Sequence, residues 1–194
     1  MDLNKYQGII FDMDGTLVDS MPRHAKAWQR TCEHYSIPFD KAYMWNLGGV
    51  PTKQIAVLLN EKFNLSHDPE AVTFTKRSFW REDTSTPALI QVTNEIYQFY
   101  LNKMPIAVGT GSDRKHAEEL LAEHGILSNL AALVTSSDVK NGKPHPETFL
   151  TAASKMSIPA HKCIVFEDTQ IGFQAAQNAG MDCILVQNGK LVSM

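Results

Sequence analysis

No stretch of this 194-residue chain approaches the roughly 18 consecutive apolar residues that a membrane-spanning helix needs. The amino terminus, MDLNKYQ, is polar and leads into only Ile9-Ile10-Phe11, so neither a secretory leader nor a membrane anchor is expected, and cytoplasmic residence is. There are only three cysteines, Cys32, Cys163 and Cys183, an odd number in a chain too large to need stapling. Reduced core thiols are the expectation. An excess of positive charge is also missing, since 18 Lys+Arg against 21 Asp+Glu leave a net charge of −3. Nothing in that balance favours nucleic acid or an anionic membrane as a partner. Internal repeats, low-complexity tracts and zinc-type His/Cys spacings are absent. So are the Gly-Lys-Ser/Thr ending of a nucleotide loop and the Gly-x-Ser-x-Gly of a serine hydrolase.

What is present is an ordinary globular composition, 43% hydrophobic and 20% charged, enough to bury a real core. Five short apolar runs stand out: GIIF, PIAVG, AALVT, CIVF and CILV, each reading as a buried strand. Segments with helical spacing separate the later runs, at 114–124, 147–156 and 170–179, and each ends near Gly125, Pro159 or Gly180. Alternating strands and helices predict an α/β fold, a doubly wound and mainly parallel sheet with a Rossmann-like core. The first connection breaks the rhythm. Asp12 and Thr110 follow the first two apolar runs yet lie 98 positions apart. Helical patterns at 23–34, 52–63 and 69–81 fill the gap, with a returning helix at 89–101. The expected organisation is a catalytic core of residues 1–18 and 88–194 carrying a small α-helical domain, 19–87. The tail 189–194 follows the last expected strand with no assigned role.

In open parallel sheets, ligands bind beyond the carboxyl ends of the strands. The residues there are Asp12-Met13-Asp14-Gly15-Thr16, then Thr110-Gly111-Ser112-Asp113, then Lys143-Pro144, and finally Glu167-Asp168. Carboxylates crowded on one rim repel one another and call for a cation. An oxygen-only donor set favours a hard ion such as Mg²⁺, which keeps waters and shares a substrate phosphate. Thr110 with the Gly111 and Ser112 amides, at a strand-to-helix junction, offers donors for phosphate oxygens, and Lys143 adds positive charge. Asp12 and Asp14 are two apart, so an extended segment puts both on one side, and Gly15 permits the turn after them. One carboxylate, ionised, can attack phosphorus. The other, partly desolvated and raised in pKa, can protonate a leaving oxygen and later activate water.

These residues resemble the motifs of the haloacid dehalogenase superfamily of phosphohydrolases. Asp12-Met13-Asp14-Gly15-Thr16 matches its DxDGT signature, Thr110 its Ser/Thr motif, Lys143 its lysine motif and Glu167-Asp168 its acidic motif, all in order. The insert sits where the β-phosphoglucomutase-like subfamily carries an α-helical cap. The resemblance implies Asp12 as nucleophile, Asp14 as acid/base, and Thr110 and Lys143 as phosphate ligands. It also implies Mg²⁺ held by Asp12, the Asp14 backbone carbonyl and Asp168, with Glu167 supporting the metal through water. Gly15, Gly111 and Ser112 are expected at the substrate, and His24 at the junction of cap and catalytic turn.

LVDSMPRHAKAW, LGGVPT, AVGTGSD, GKPHPETFL and VFEDTQIGFQAAQNAGM are similar to bacterial sugar phosphatases of the fructose-1-phosphatase type. The expected activity is therefore Mg²⁺-dependent hydrolysis of a small sugar phosphate through an aspartyl-phosphate, by a monomer. A hexose-phosphate mutase is the alternative. Where mutase relatives carry a phosphate-gripping arginine, this chain has Thr52 followed by Lys53, and a lysine cannot supply the bidentate fork. A phospho-aspartate signalling module is the third reading, opposed by the insert and by Asp14. Trp28, Trp45 and Trp80 are expected to pack the insert, with Trp45 or Asn46 near a sugar. The histidines other than His24 are expected to be surface or core residues, Asp113 a helix-start residue and Asp138 a loop charge.

Overall fold

The computed structural model describes residues 1–192. Gly8–Phe11 forms β1, followed by α1 (Met21–His34), α2 (Lys41–Asn46), α3 (Thr52–Phe63), α4 (Pro69–Glu82) and α5 (Gln91–Tyr100). The rest alternates: β2 (Ile106–Gly109), α6 (Arg114–Glu123), β3 (Ala132–Val134), α7 (Glu147–Lys155), β4 (Cys163–Glu167), α8 (Gln170–Asn178), β5 (Asp182–Gln187) and β6 (Lys190–Val192). The sheet order is β3-β2-β1-β4-β5-β6, parallel except for the final β5/β6 pair. The chain winds outward from β1 through β2 and β3, then returns to place β4 on β1's other side. That reversal opens a crevice at the carboxyl end of β1, where Asp12 begins.

β1 is buried on both faces because helices cover both. Ile9 and Phe11 join the cluster built with Ile96, Tyr97 and Leu121 of α5 and α6. Ile10 points the other way, into the cluster with Phe149, Ala152 and Ala176 of α7 and α8. This period-two split is what an extended strand imposes, and each such side chain stabilises the fold by roughly 1.5–3 kcal/mol. Phe11 also stacks on Phe166 of β4 with centroids 5.0 Å apart, fixing the two strands that carry Asp12 and Glu167.

Helices α1 to α4 bury a separate cluster that includes Trp28, Cys32, Ile55, Leu59 and Val72. Asp68 caps α4 by accepting from the Glu70 amide at 3.0 Å, and Pro69 suits the first turn because its missing N–H has no helical partner there. The two chain crossings between this helical layer and the sheet lie side by side. Val18 bridges Leu89, and the Asp19 amide donates to the Ala88 carbonyl at 2.8 Å.

Two elements depart from expectation. The segment read as a tail forms β6, a hairpin partner of β5 through Gln187–Lys190, Val186–Leu191 and Leu185–Val192. Residues 193–194 of that tail lie outside the described residues. The six-residue α2 was not expected either; Asp40 starts it by accepting from the Tyr43 amide at 3.0 Å. All three cysteines are free, with Cys32 and Cys163 buried and Cys183 partly so. Among the described residues, no helix is long and apolar enough to cross a membrane.

Candidate active site

The rim residues come together, but in two clusters rather than one. In the first, Lys143 Nζ lies 2.5 Å from Asp12 Oδ1 and 2.9 Å from Glu167 Oε1, all three side chains being buried. The Lys143 stem comes from the loop before α7, after which the Lys143–Pro144 peptide is cis, and its ammonium sits 4.7 Å from the Phe149 ring centre. Asp168 closes the group: donor oxygens of Asp12, Glu167 and Asp168 all lie within 4.8 Å of one another. Thr16 Oγ1 holds Asp168 Oδ1 at 3.1 Å. Gly15, at φ +88°, is the turn that makes this possible, since a Cβ there would run into the Asp168 carboxylate.

Three carboxylates against one ammonium leave the cluster short of positive charge. Burial pushes Asp12 well above the usual carboxylate range; Lys143 opposes that shift, while Glu167 and Asp168 add to it. Burial and Glu167 likewise push Asp168 up to about 7. Burial would lower Lys143, but Asp12 and Glu167 outweigh it and raise the ammonium's pKa. The crowding thus favours a further positive charge, and the all-oxygen donors fit a hard cation. Glu167 has little freedom to turn towards it. Its Oε2 accepts from the Thr169 amide at 2.5 Å and the Thr169 hydroxyl at 2.8 Å, and Gly172 leaves space that a Cβ would take from the carboxylate.

The second cluster gathers around Asp14, whose side chain turns away from the first. Ser20 Oγ donates to Asp14 Oδ1 at 2.6 Å, and Ser112 Oγ donates to Oδ2 at 2.7 Å. His24 Nε2 lies 3.1 Å from Oδ1, while its Nδ1 lies 2.7 Å from Lys76 Nζ. An ammonium only donates, so Nδ1 accepts and Nε2 carries the proton given to Asp14. Burial would raise Asp14, but His24 and His116 overcome it and hold the carboxyl well below the usual range. Burial and the neighbouring Lys76 bring His24 down to about 4, so at neutral pH its hold on Asp14 is a hydrogen bond rather than an ion pair. Burial takes Lys76 down to about 8. Asp14 is therefore not the raised acid expected of the second carboxylate. The Ser112 amide, expected on a phosphate, donates to the Thr110 hydroxyl, and the Ser112 hydroxyl is taken by Asp14.

Thr110 is buried at the end of β2, its hydroxyl accepting from the Ser112 amide at 3.0 Å. Asp12, Asp14, Thr110, Gly111 and Ser112 line one side of a cavity, and the helical layer supplies the other, with His24, Lys76, Thr52, Trp45 and Met44. Roof and floor touch at the main chain: a Cβ on Gly111 would collide with the Gly49 carbonyl. Trp28 and Trp80 are buried as expected, but Trp45 is 58% exposed and borders the cavity. Lys53 turns outward to Glu70, 2.5 Å away on the exposed surface. Asp113 caps α6, accepting from the His116 amide at 3.1 Å, and Asp138 accepts from Thr135 and Arg114, as a helix-start residue and a loop charge should.

Sequence reasoning missed Ser20, Lys76 and His116. Lys76 left a signal: it lies four residues from both Val72 and Trp80, on the buried stripe of α4. A lysine there needs a purpose for its charge. Ser20, at the N-cap of α1, makes no capping bond of its own because its hydroxyl is diverted to Asp14.

Residues 9–186 match the family described as haloacid dehalogenase-like hydrolase. The fructose-1-phosphate phosphatase YqaB of Escherichia coli is 39% identical over 187 residues, covering 94% of this chain and 97% of its own. An uncharacterized protein of Haemophilus influenzae is 40% identical over 191 residues, 98% of this chain and 96% of that one. The solved β-phosphoglucomutase of Clostridium difficile superposes with a TM-score of 0.83 at 25% identity, over 94% of this chain and 85% of its own. The match runs from the strand that delivers Asp12 to the strand beyond Glu167 and Asp168, so this chain, too, belongs to the haloacid dehalogenase-like hydrolases.

Proposed function

We propose that the protein is a Mg²⁺-dependent phosphatase of small sugar phosphates that works through a phosphoryl group carried on Asp12. The observation that carries this reading is the buried Asp12–Lys143–Glu167 chain beside Asp168, which fixes one carboxylate oxygen of Asp12 and leaves the other for phosphorus. The similarity to a fructose-1-phosphate phosphatase over nearly the whole chain supports the substrate class. Asp12 and Asp168, with the Asp14 backbone carbonyl, are the ligands in this reading, and Glu167 orients the group. Bound there, Mg²⁺ would neutralise carboxylate and phosphate charge.

Asp12 attacks the phosphorus of the ester, forming an acyl-phosphate as the bond to the sugar oxygen breaks. Asp14 protonates that oxygen, which requires it to leave Ser20 and His24 and acquire a proton. Water then attacks the same phosphorus and gives its proton to Asp14, releasing inorganic phosphate and restoring Asp12. The ionised state in which Asp14 is held suits this second half. Thr110 and the Gly111 amide serve the phosphate oxygens, with Lys143 as the fixed positive charge. Residues 19–87 act as a cap that excludes water and contacts the sugar, and the enzyme works as a cytoplasmic monomer. Lys53, beside the position where mutase relatives carry a phosphate-gripping arginine, turns outward to Glu70, which favours the phosphatase over the mutase.

The test is phosphate release from a panel of phosphorylated sugars, with and without Mg²⁺, with isomerised sugar followed in the same tubes. Mg²⁺-dependent release on one or a few hexose phosphates supports the reading. Isomer formed without released phosphate, dependent on a bisphosphate primer, replaces it with a mutase.

A further inference from the structure

We propose that His116 is a positioning residue for Asp14, a hold on the acid/base carboxylate that comes from the core rather than from the helical layer. The inference rests on the role given to Asp14 above. His116 stands in the first turn of α6, where Asp113 Oδ1 accepts its backbone N–H at 3.1 Å. The same Asp113 receives Arg77 of α4 at 2.9 Å, so the carboxylate that fixes His116 also ties the helical layer to the core. The imidazole sits edge-on to Trp80, with centroids 4.8 Å apart, and edge-on to His24 at 5.5 Å, while His24 stacks on Trp80 at 4.1 Å. Three rings from two layers thus lock one another around the group that grips Asp14.

Packing alone does not account for the ring's polar edge. His116 Nε2 is buried with no hydrogen-bond partner, and the acceptor facing it is Asp14 Oδ1, 3.9 Å away. An orphaned buried donor is costly, and one aimed at a carboxylate is relieved by a shift of about 1 Å. Ser20 and His24 share Oδ1 in the present arrangement. When Asp14 leaves them to reach the substrate, His116 is the donor placed to keep Oδ1 in register, together with Ser112 on Oδ2.

Two substitutions separate the nitrogen from the ring. His116→Phe keeps the aromatic contact with Trp80 and removes the donor; His116→Gln keeps an N–H donor near the ε position. The expected result is a kcat for His116→Phe about tenfold below wild type with KM within about threefold, and recovery to within about threefold in His116→Gln. A His116→Phe enzyme within twofold of wild type overturns the proposal, and so does a His116→Gln enzyme as impaired as His116→Phe. A two-bond ¹⁵N–¹H spectrum of the imidazoles in the unsubstituted, metal-free protein at pH 8 tests it without turnover or folding of a variant. The Nε2-protonated tautomer of His116 is expected, and the Nδ1-protonated one overturns the proposal. Wild-type protein that releases no phosphate from any sugar ester would sink the phosphatase reading, while the tautomer would still decide the placement of His116.

Discussion

Asp12 and Asp14 are neighbours but one in the chain, and their surroundings could hardly differ more. Asp12 faces oxygen: two further carboxylates and a single lysine around a buried side chain at the edge of the cavity. Asp14 faces donors: two hydroxyls and two imidazoles backed by a second lysine. Burial acts on both in the same direction, towards the neutral acid, yet Asp12 ends well above the ordinary range and Asp14 well below it. For Asp12 the nearby carboxylates add to burial, whereas for Asp14 the imidazoles overcome it. In the proposed reaction the first carboxylate, short of positive charge, would receive a cation, and the second, held anionic, would be the one free to accept the proton from water.

The largest break in that contrast is Asp12→Asn, which removes the proposed nucleophile while keeping its shape. Phosphate release should fall by at least about a thousandfold, measured in steady state, and a smaller loss would remove the covalent step. Lys143→Met comes next. It leaves the oxygen cluster without its ammonium, and stability in urea should drop by about 3 kcal/mol, with activity lost alongside. On the other side, Lys76→Met should leave stability near wild type, since it deletes a buried charge, yet lower kcat about tenfold by freeing the His24 ring.

The smallest effect sharpens the contrast through pH. Asp168 has a folded pKa of about 7, above its unfolded value of 3.8, so its contribution to stability is present at low pH and is lost as pH rises towards 7. Mg²⁺ binding through Asp168, as proposed, would displace that proton. The rise in melting temperature on adding Mg²⁺ over EDTA should therefore be larger at pH 8 than at pH 6, by about 2–4 °C for each kcal/mol of extra binding. An equal rise at both pH values would mean that Asp168 is not a ligand.

The carboxylates of the oxygen cluster were legible because they follow apolar runs, and a parallel sheet delivers such positions to one rim; Lys143 lies further on, in the loop between β3 and α7. The same logic made β1 to β5 and the three later helices readable to within a residue or two. The Asp14 cluster was largely hidden, because Lys76 and His116 reach it from helices 62 and 102 positions downstream, and only packing brings them there. The depression of Asp14 followed the same fate: a pKa reports neighbours that a linear chain does not show. β6 had a local sign that went unread. Asn188-Gly189, both at positive φ, is the two-residue connection that hairpins favour, placed between Gln187 and Lys190. α2 is short and aromatic, and its Asp40 cap was the one cue to it.

The contact between the Gly49 carbonyl and Gly111 bears on how such an enzyme could change its diet. Side chains can be traded for larger or smaller ones, but here main chain meets main chain, and the gap between the two layers has no adjustable part at that point. The separation of the two layers at that point is therefore set by main chain rather than by side-chain size. Selection for a longer or bulkier ester would have to work on the lateral walls, through residues such as Trp45, Met44 and Thr52, each of which can be exchanged without moving the layers apart.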